Sequence, residues 1–156
     1  MIHLECMRYR ETLGKIDEKI IHYMRRVFFP FARFAIFIIF FWFGILKVLG
    51  ASPASPLVLS LLAETLPFIT PETFLIYFGI FEIIIGISFT IPRFERFAIM
   101  LLLIHMVTTG LPLFMLKTIT WQNTFVPTME GQYIIKNILF IALAVGIASH
   151  LHPKQH

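Results

Sequence analysis

A single cysteine, Cys6, stands in the whole chain, which excludes an internal disulfide and any CxxC redox pair. Charge is scarce as well. Asp, Glu, Lys and Arg make up 14% of the 156 residues, where a soluble domain carries about a quarter. There is no Gly-rich phosphate loop, no HExxH and no nucleophile elbow, so the motif-borne nucleotide, zinc-protease and serine-hydrolase chemistries fall away. No low-complexity stretch or internal repeat appears. The first 29 residues carry charges throughout and lack an apolar core segment, so no cleavable leader is expected. What remains is apolar: 58% hydrophobic residues and 18 Phe, with a mean hydropathy of +0.82. Water cannot be the only solvent for such a surface.

The net charge of +4 and pI near 9.5 do not point to nucleic acid. The cations sit at the margins of long apolar runs, where the positive-inside rule places them, and the expected partner is a lipid bilayer. A span needs about 20 mostly apolar residues, and the chain offers four: about Phe31 to Leu49, Thr70 to Ile91, Phe97 to Leu116 and Tyr133 to Ser149. Arg8, Arg10, Lys15, Lys19, Arg25, Arg26, Arg33, Arg93, Arg96 and Lys154 fall on one side; only Lys117 falls in the opposite loops, beside Glu64, Glu72 and Glu130. Both termini and the PRFERF turn are therefore expected in the cytoplasm.

The expected fold is an all-α membrane protein: a four-transmembrane-helix bundle with an N-terminal amphipathic helix and a short outer interfacial helix. Residues 1–29 form a cytoplasmic amphipathic segment, 30–150 the transmembrane domain and 151–156 a cytoplasmic tail. Leu13, Ile16, Ile20, Met24 and Val27 recur at helical spacing, and Lys15, Lys19, His22 and Arg26 face away from them. That pattern suits a helix lying on the inner leaflet; docking of a soluble partner is the other reading. Ser55 followed by Pro56 reads as the start of the short outer helix, with Ser55 as N-cap. Thr70 caps span two, Thr128 caps span four, and Pro112 kinks span three.

Ionisable groups inside a span are costly, about 2.5–3.5 kcal/mol or more at its centre. Four qualify: Lys47, Glu82, His105 and Lys136. Glu82 shares a face of span two with Gly79 and Gly86, and small residues let a neighbouring helix come close. Spans two and three form an antiparallel hairpin about Arg93 and Phe94, and Glu82 and His105 lie equally far from that turn. They should meet at one depth. Thr108, Thr109 and Pro112 continue the His105 face. Side chains lean toward a helix's N-terminus, so Lys47, about 21 Å above Arg33, leans toward Glu82. Lys136 leans outward, and Asn137 beside it can hydrogen-bond another helix.

Two readings of these residues stay open. In the structural one, Lys47 and Glu82 form an ion pair that sets helix register, His105 is interhelical glue, and Lys136 snorkels at the interface. In the functional one, Lys47, Glu82, His105, Thr108 and Thr109 line a polar pocket that binds a small acceptor or relays protons, with Lys136 and Asn137 a secondary polar pair. One mid-membrane histidine cannot hold a b-type haem from both sides. His150, His152 and His156 in the tail imply no metal cage.

The segments FWFGILKVLGASPAS, GIFEIIIGISFTIPRFER and MEGQYIIKNILFIALA together resemble the DoxX-like family of small four-helix membrane proteins over roughly residues 31–149. Lys47, Glu82, the basic turn with Arg93 and Arg96, and Gly131, Gln132, Tyr133, Lys136 and Asn137 carry the match. The resemblance implies a bacterial inner membrane, and the family's name comes from a membrane subunit of a quinone-linked oxidoreductase. Three functions follow as alternatives. The first is a redox subunit that holds a quinone near Glu82, His105 and Lys47 and docks a membrane or soluble redox partner, with no intrinsic cofactor. The second is a proton or small-solute transporter or channel component, working as a homo-oligomer. The third is an accessory or assembly protein with no small ligand.

Overall fold

The computed structural model describes the backbone of residues 2–151 and the side chains of residues 13–151. The side chain of Cys6 and the tail residues His152, Lys154 and His156 lie outside this description. Within it, four helical stretches are long and apolar enough to cross a membrane: Leu13–Val48, Pro71–Thr90, Glu95–Met115 and Met129–Ala148.

Helix α1 spans Ile2–Val48 without interruption. The expected boundary between a surface helix and span one at residue 30 is therefore not a break in secondary structure. Pro30 sits inside the helix, although a proline there removes one backbone bond and typically costs about 3 kcal/mol. Packing on both sides of it holds the helix together. Phe29 lies 4.1 Å, centroid to centroid, from the His150 ring, and two residues beyond Pro30 Ala32 begins the buried stripe Ala32, Ile36, Phe40, Gly44 and Lys47. At its other end α1 stops in a Schellman motif. Gly50 takes φ +70, its N–H reaches the Lys47 carbonyl at 3.1 Å, and the Ala51 N–H reaches that of Leu46 at 2.8 Å. Lys47 thus sits in the last turn, where a cation is favoured.

Helix α2 (Ser55–Thr65) starts one residue earlier than its sequence suggests. Ala54, not Ser55, is the N-cap, and Ser52 Oγ accepts the Ala54 N–H at 3.3 Å. Helix α2 packs on α3 (Pro71–Thr90). Thr70 is the N-cap of α3 as expected, but its hydroxyl bonds Thr73 Oγ1 at 2.7 Å rather than a backbone N–H.

The connection to α4 (Glu95–Gly110) is a tight turn. The Phe94 N–H reaches the Ile91 carbonyl at 3.3 Å, Pro92 takes the first central position, and Arg93 takes the second with φ +84. That is a type II arrangement, unusual in lacking glycine at the second central position. After a turn at Leu111, α5 (Pro112–Met115) resumes the helix, because Pro112 cannot donate to the ladder.

The second connection is not an open polar loop. Helix α6 (Lys117–Thr120) leads into strands β1 (Trp121–Asn123) and β2 (Val126–Pro127), an antiparallel hairpin. Trp121 Nε1 donates to the Leu113 carbonyl at 3.0 Å. Thr128 then caps α7 (Met129–Lys136), accepting the Gly131 N–H at 3.2 Å. A turn at Asn137 separates α7 from α8 (Ile138–Ala148).

Helix α1 runs along α3, α3 packs on α4, α4 on α8, and α8 back on α1. Between them sit Ala32, Ile36, Phe40, Ile85, Phe89, Ala98, Leu102, Met106, Ala144 and Ile147. Two ends result. Arg33, Phe89 and Glu95 meet at the terminal end, where α1 also packs on His150 through Phe29, and α2, α6 and the hairpin occupy the loop end.

Candidate functional site: a buried Lys–Glu–His cluster

The site begins with a glycine seam. A Cβ on Gly79 would fall 2.6 Å from the Gly44 carbonyl oxygen, and one on Gly86 would fall 3.0 Å from the Phe41 nitrogen. Only glycine lets α1 and α3 approach so closely. Close approach places the root of Lys47 beside α3 and its ammonium next to Glu82.

Lys47 Nζ donates to Glu82 Oε2 at 2.6 Å, and His105 Nε2 lies 2.9 Å from Glu82 Oε1. All three residues are buried, at 6%, 5% and 4% exposure. The other ring nitrogen, His105 Nδ1, is buried and has no hydrogen-bond partner. The Lys47–Glu82 pair is neutral as a unit, which offsets the cost of burying either ion alone.

Aromatic rings enclose the cluster. Phe78 stacks on the imidazole at 5.1 Å with planes 14° apart, and Phe74 stacks on Phe78 at 5.6 Å, again at 14°. Phe40 meets His105 edge-on at 5.1 Å, and Phe81 lies 6.0 Å away, tilted. Lys47 Nζ is 5.6 Å from the Phe78 centroid. The cluster is closed by rings rather than open as a pocket. A groove of about 500 Å³ lies elsewhere, on α1, lined by Lys19, Ile20, Tyr23, Met24, Val27 and Phe28.

The other expected site residues go elsewhere. Thr108 Oγ1 and Thr109 Oγ1 both donate to the His105 carbonyl, at 2.8 and 2.9 Å. Such back-bonding turns their hydroxyls onto their own helix, a habit that bends helices, here one turn before Pro112. Lys136 is exposed, with Nζ 5.1 Å from the Tyr133 centroid. Asn137 is half-buried at the turn between α7 and α8.

The sequence reading missed two features. Phe74 and Phe78 precede Glu82 by two turns and one turn on the same face of α3. Arg33, placed by the sequence only among the cations of one side, is also a fastener. Its Nη1 pairs with Glu95 Oε1 at 2.6 Å, and its Nε donates to the Phe89 carbonyl at 2.8 Å, so one side chain ties α1 to the end of α3 and the start of α4.

Four apolar helices of spanning length, with an ion-paired cluster buried between three of them, define a multi-pass membrane protein. Compared with protein-family models, curated proteins and solved structures, the chain has no match.

Proposed function

We propose that the chain is a DoxX-like protein of the bacterial inner membrane, with both termini in the cytoplasm, and the membrane subunit of a quinone-linked redox system. In this reading His105 exchanges a proton with the quinone. The observation that carries it is His105 Nδ1, a buried ring nitrogen without a hydrogen-bond partner. Leaving a buried polar atom unpaired costs about 1–3 kcal/mol, and a redox or catalytic role is one reason a protein bears that cost. The flat stack of Phe74, Phe78 and His105 suits a conjugated ring. The distribution of Lys and Arg supports the sidedness.

Reduction of a quinone to its quinol takes up two electrons and two protons; the electrons would come from a partner redox protein and both protons from bulk water, one of them by way of His105. The chain's own residues supply position and proton control. Glu82 orients the imidazole through Nε2, Lys47 holds Glu82 in place, and Nδ1 is the ring atom left to pass a proton to the quinone.

Native mass spectrometry of the gently extracted protein tests this. A stoichiometric quinone on the wild type, lost in Glu82→Gln while the fold is retained, is the expected result. Bulk phospholipid alone overturns it, and proton flux in liposomes without bound quinone would instead assign the cluster to transport.

A further inference from the structure

Helix α1 is longer than its span. The 36 helical residues Leu13–Val48 measure about 54 Å at helical rise, against about 30 Å of hydrocarbon. The helix has no break at which the excess would turn onto the leaflet. This extension carries an apolar stripe. Leu13, Ile16, Ile20, Tyr23 and Val27 alternate by three and four residues, the a and d positions of a heptad. In the sequence Ile2, Cys6 and Tyr9 continue the same alternation, which then runs for more than three heptads, the length that marks a coiled coil. Leu13, Ile16, Ile20 and Tyr23 are exposed. The chain's own bundle lies on the opposite side of the helix: Phe28 and Phe29, at b and c, lie against Gly146 and His150 at and just beyond the end of α8.

We propose that this stripe is the seam of a homodimer, in which the α1 extensions of two copies wind into a parallel coiled coil outside the membrane. The proposal is independent of the quinone reading. Two copies inserted the same way into one bilayer meet in parallel, so each residue faces its own counterpart and the register is fixed. The groove on α1 has the form this packing needs. Four of the residues that line it, Ile20, Tyr23, Met24 and Val27, are the a, d, e and next a positions, the four that enclose a d-position knob in a parallel pair. The knob is Tyr23 of the second copy. Charge fits the same register. Across a parallel seam each g residue faces the e residue five positions on, which sets Glu5 opposite Arg10, Thr12 opposite Asp17, Lys19 opposite Met24 and Arg26 opposite Phe31. No like charges meet, and the one pair of ions is of opposite sign.

The experiment places single cysteines in full-length protein carrying Cys6→Ser, at d (Ile16→Cys, Tyr23→Cys) and on the far side at f (Glu18→Cys, Arg25→Cys), and oxidises each in native membranes. Facing d residues come within disulfide reach, so Ile16→Cys and Tyr23→Cys should run as covalent dimers and Glu18→Cys and Arg25→Cys as monomers. Sedimentation of the detergent-solubilised protein gives the second readout. Ile20→Lys removes one buried isoleucine from each copy and should weaken association by about tenfold or more. Glu18→Lys, a larger change of charge outside the seam, should leave it unaltered. Equal cross-linking at d and f, or none at d, overturns the proposal and assigns the stripe to lipid or to another protein. A dimer that Ile20→Lys leaves intact overturns it as well, because the copies would then meet through another face.

Discussion

Gly79→Ala is the sharpest test of how the site is built. The added methyl would sit 2.6 Å from the Gly44 carbonyl oxygen and 3.0 Å from both Lys47 Cβ and Val48 Cγ2. Its nearest obstacle is backbone, so no rotamer change clears it. Restoring an ordinary contact of about 3.4 Å pushes α1 and α3 apart by about 0.8 Å, since a packed core has no slack to absorb it. Lys47 moves with α1 and Glu82 with α3. Their 2.6 Å bond would stretch toward about 3.4 Å, past the usual range for a charge-assisted bond. Overpacking alone costs about 1–3 kcal/mol, and the weakened bond to a charged group adds to it. The loss should exceed about 2 kcal/mol. Equilibrium unfolding in mixed SDS micelles, followed by circular dichroism, measures it. Gly14→Ala is the control: Gly14 is helical with nothing within 4 Å of the added carbon, and the change should be neutral or stabilising by up to about 1 kcal/mol. If Gly79→Ala matches Gly14→Ala within about 0.5 kcal/mol, the account of the α1–α3 seam is wrong.

Three other outcomes follow from the geometry. Lys47→Met strands a buried carboxylate and should cost about 3–5 kcal/mol; adding Glu82→Gln should recover part of that, and strict additivity in the double-mutant cycle would reject the pairing. Arg33→Met should cost about 1–2 kcal/mol, the value of a charge-assisted bond discounted for 21% exposure of both partners, and Glu95→Gln should then have no further effect in the same unfolding assay. Lys136→Met, at an exposed position beside Tyr133, should stay within about 0.5 kcal/mol of wild type, and a larger loss would show that Lys136 has a buried role.

Much of the cluster could be read from the sequence because geometry leaves few choices. A tight turn at Pro92 and Arg93 fixes hairpin register, so Glu82 and His105 had to share a depth. Lys47 leans along its helix toward its N-terminus, so its reach to Glu82 followed. The spacing of Gly79 and Gly86 announced a close neighbour, though not that the neighbour was α1 at Gly44. Phe78 escaped notice because a phenylalanine among 18 in an apolar chain carries no contrast; polar residues stand out in such a sequence and their walls do not. Thr108 and Thr109 were placed on the right face, but a hydroxyl one turn from its own carbonyls often chooses them over a pocket. The continuity of α1 through Pro30 was hidden for a different reason. Proline lowers helix propensity locally, and contacts from Phe29 and Ala32, distant in sequence from their partners, override it. The β1–β2 hairpin is five residues of strand, too short for periodicity to register.

The way the helices are fastened implies an order of opening. Helices α1, α3 and α4 are joined at one end by Arg33, near the other by the Lys47–Glu82–His105 cluster, and between them by the glycine seam. Helix α8 meets the rest through Phe140, Ala144 and Ile147, apolar side chains that form no directional bond among the described residues. Local openings draw on the regions held by the fewest interactions. The protein should therefore behave as two cooperative units, with amides of α8 exchanging with solvent deuterium well before those of α3. The three helices that carry the Lys47–Glu82–His105 cluster would then persist as a unit after the fourth has come away.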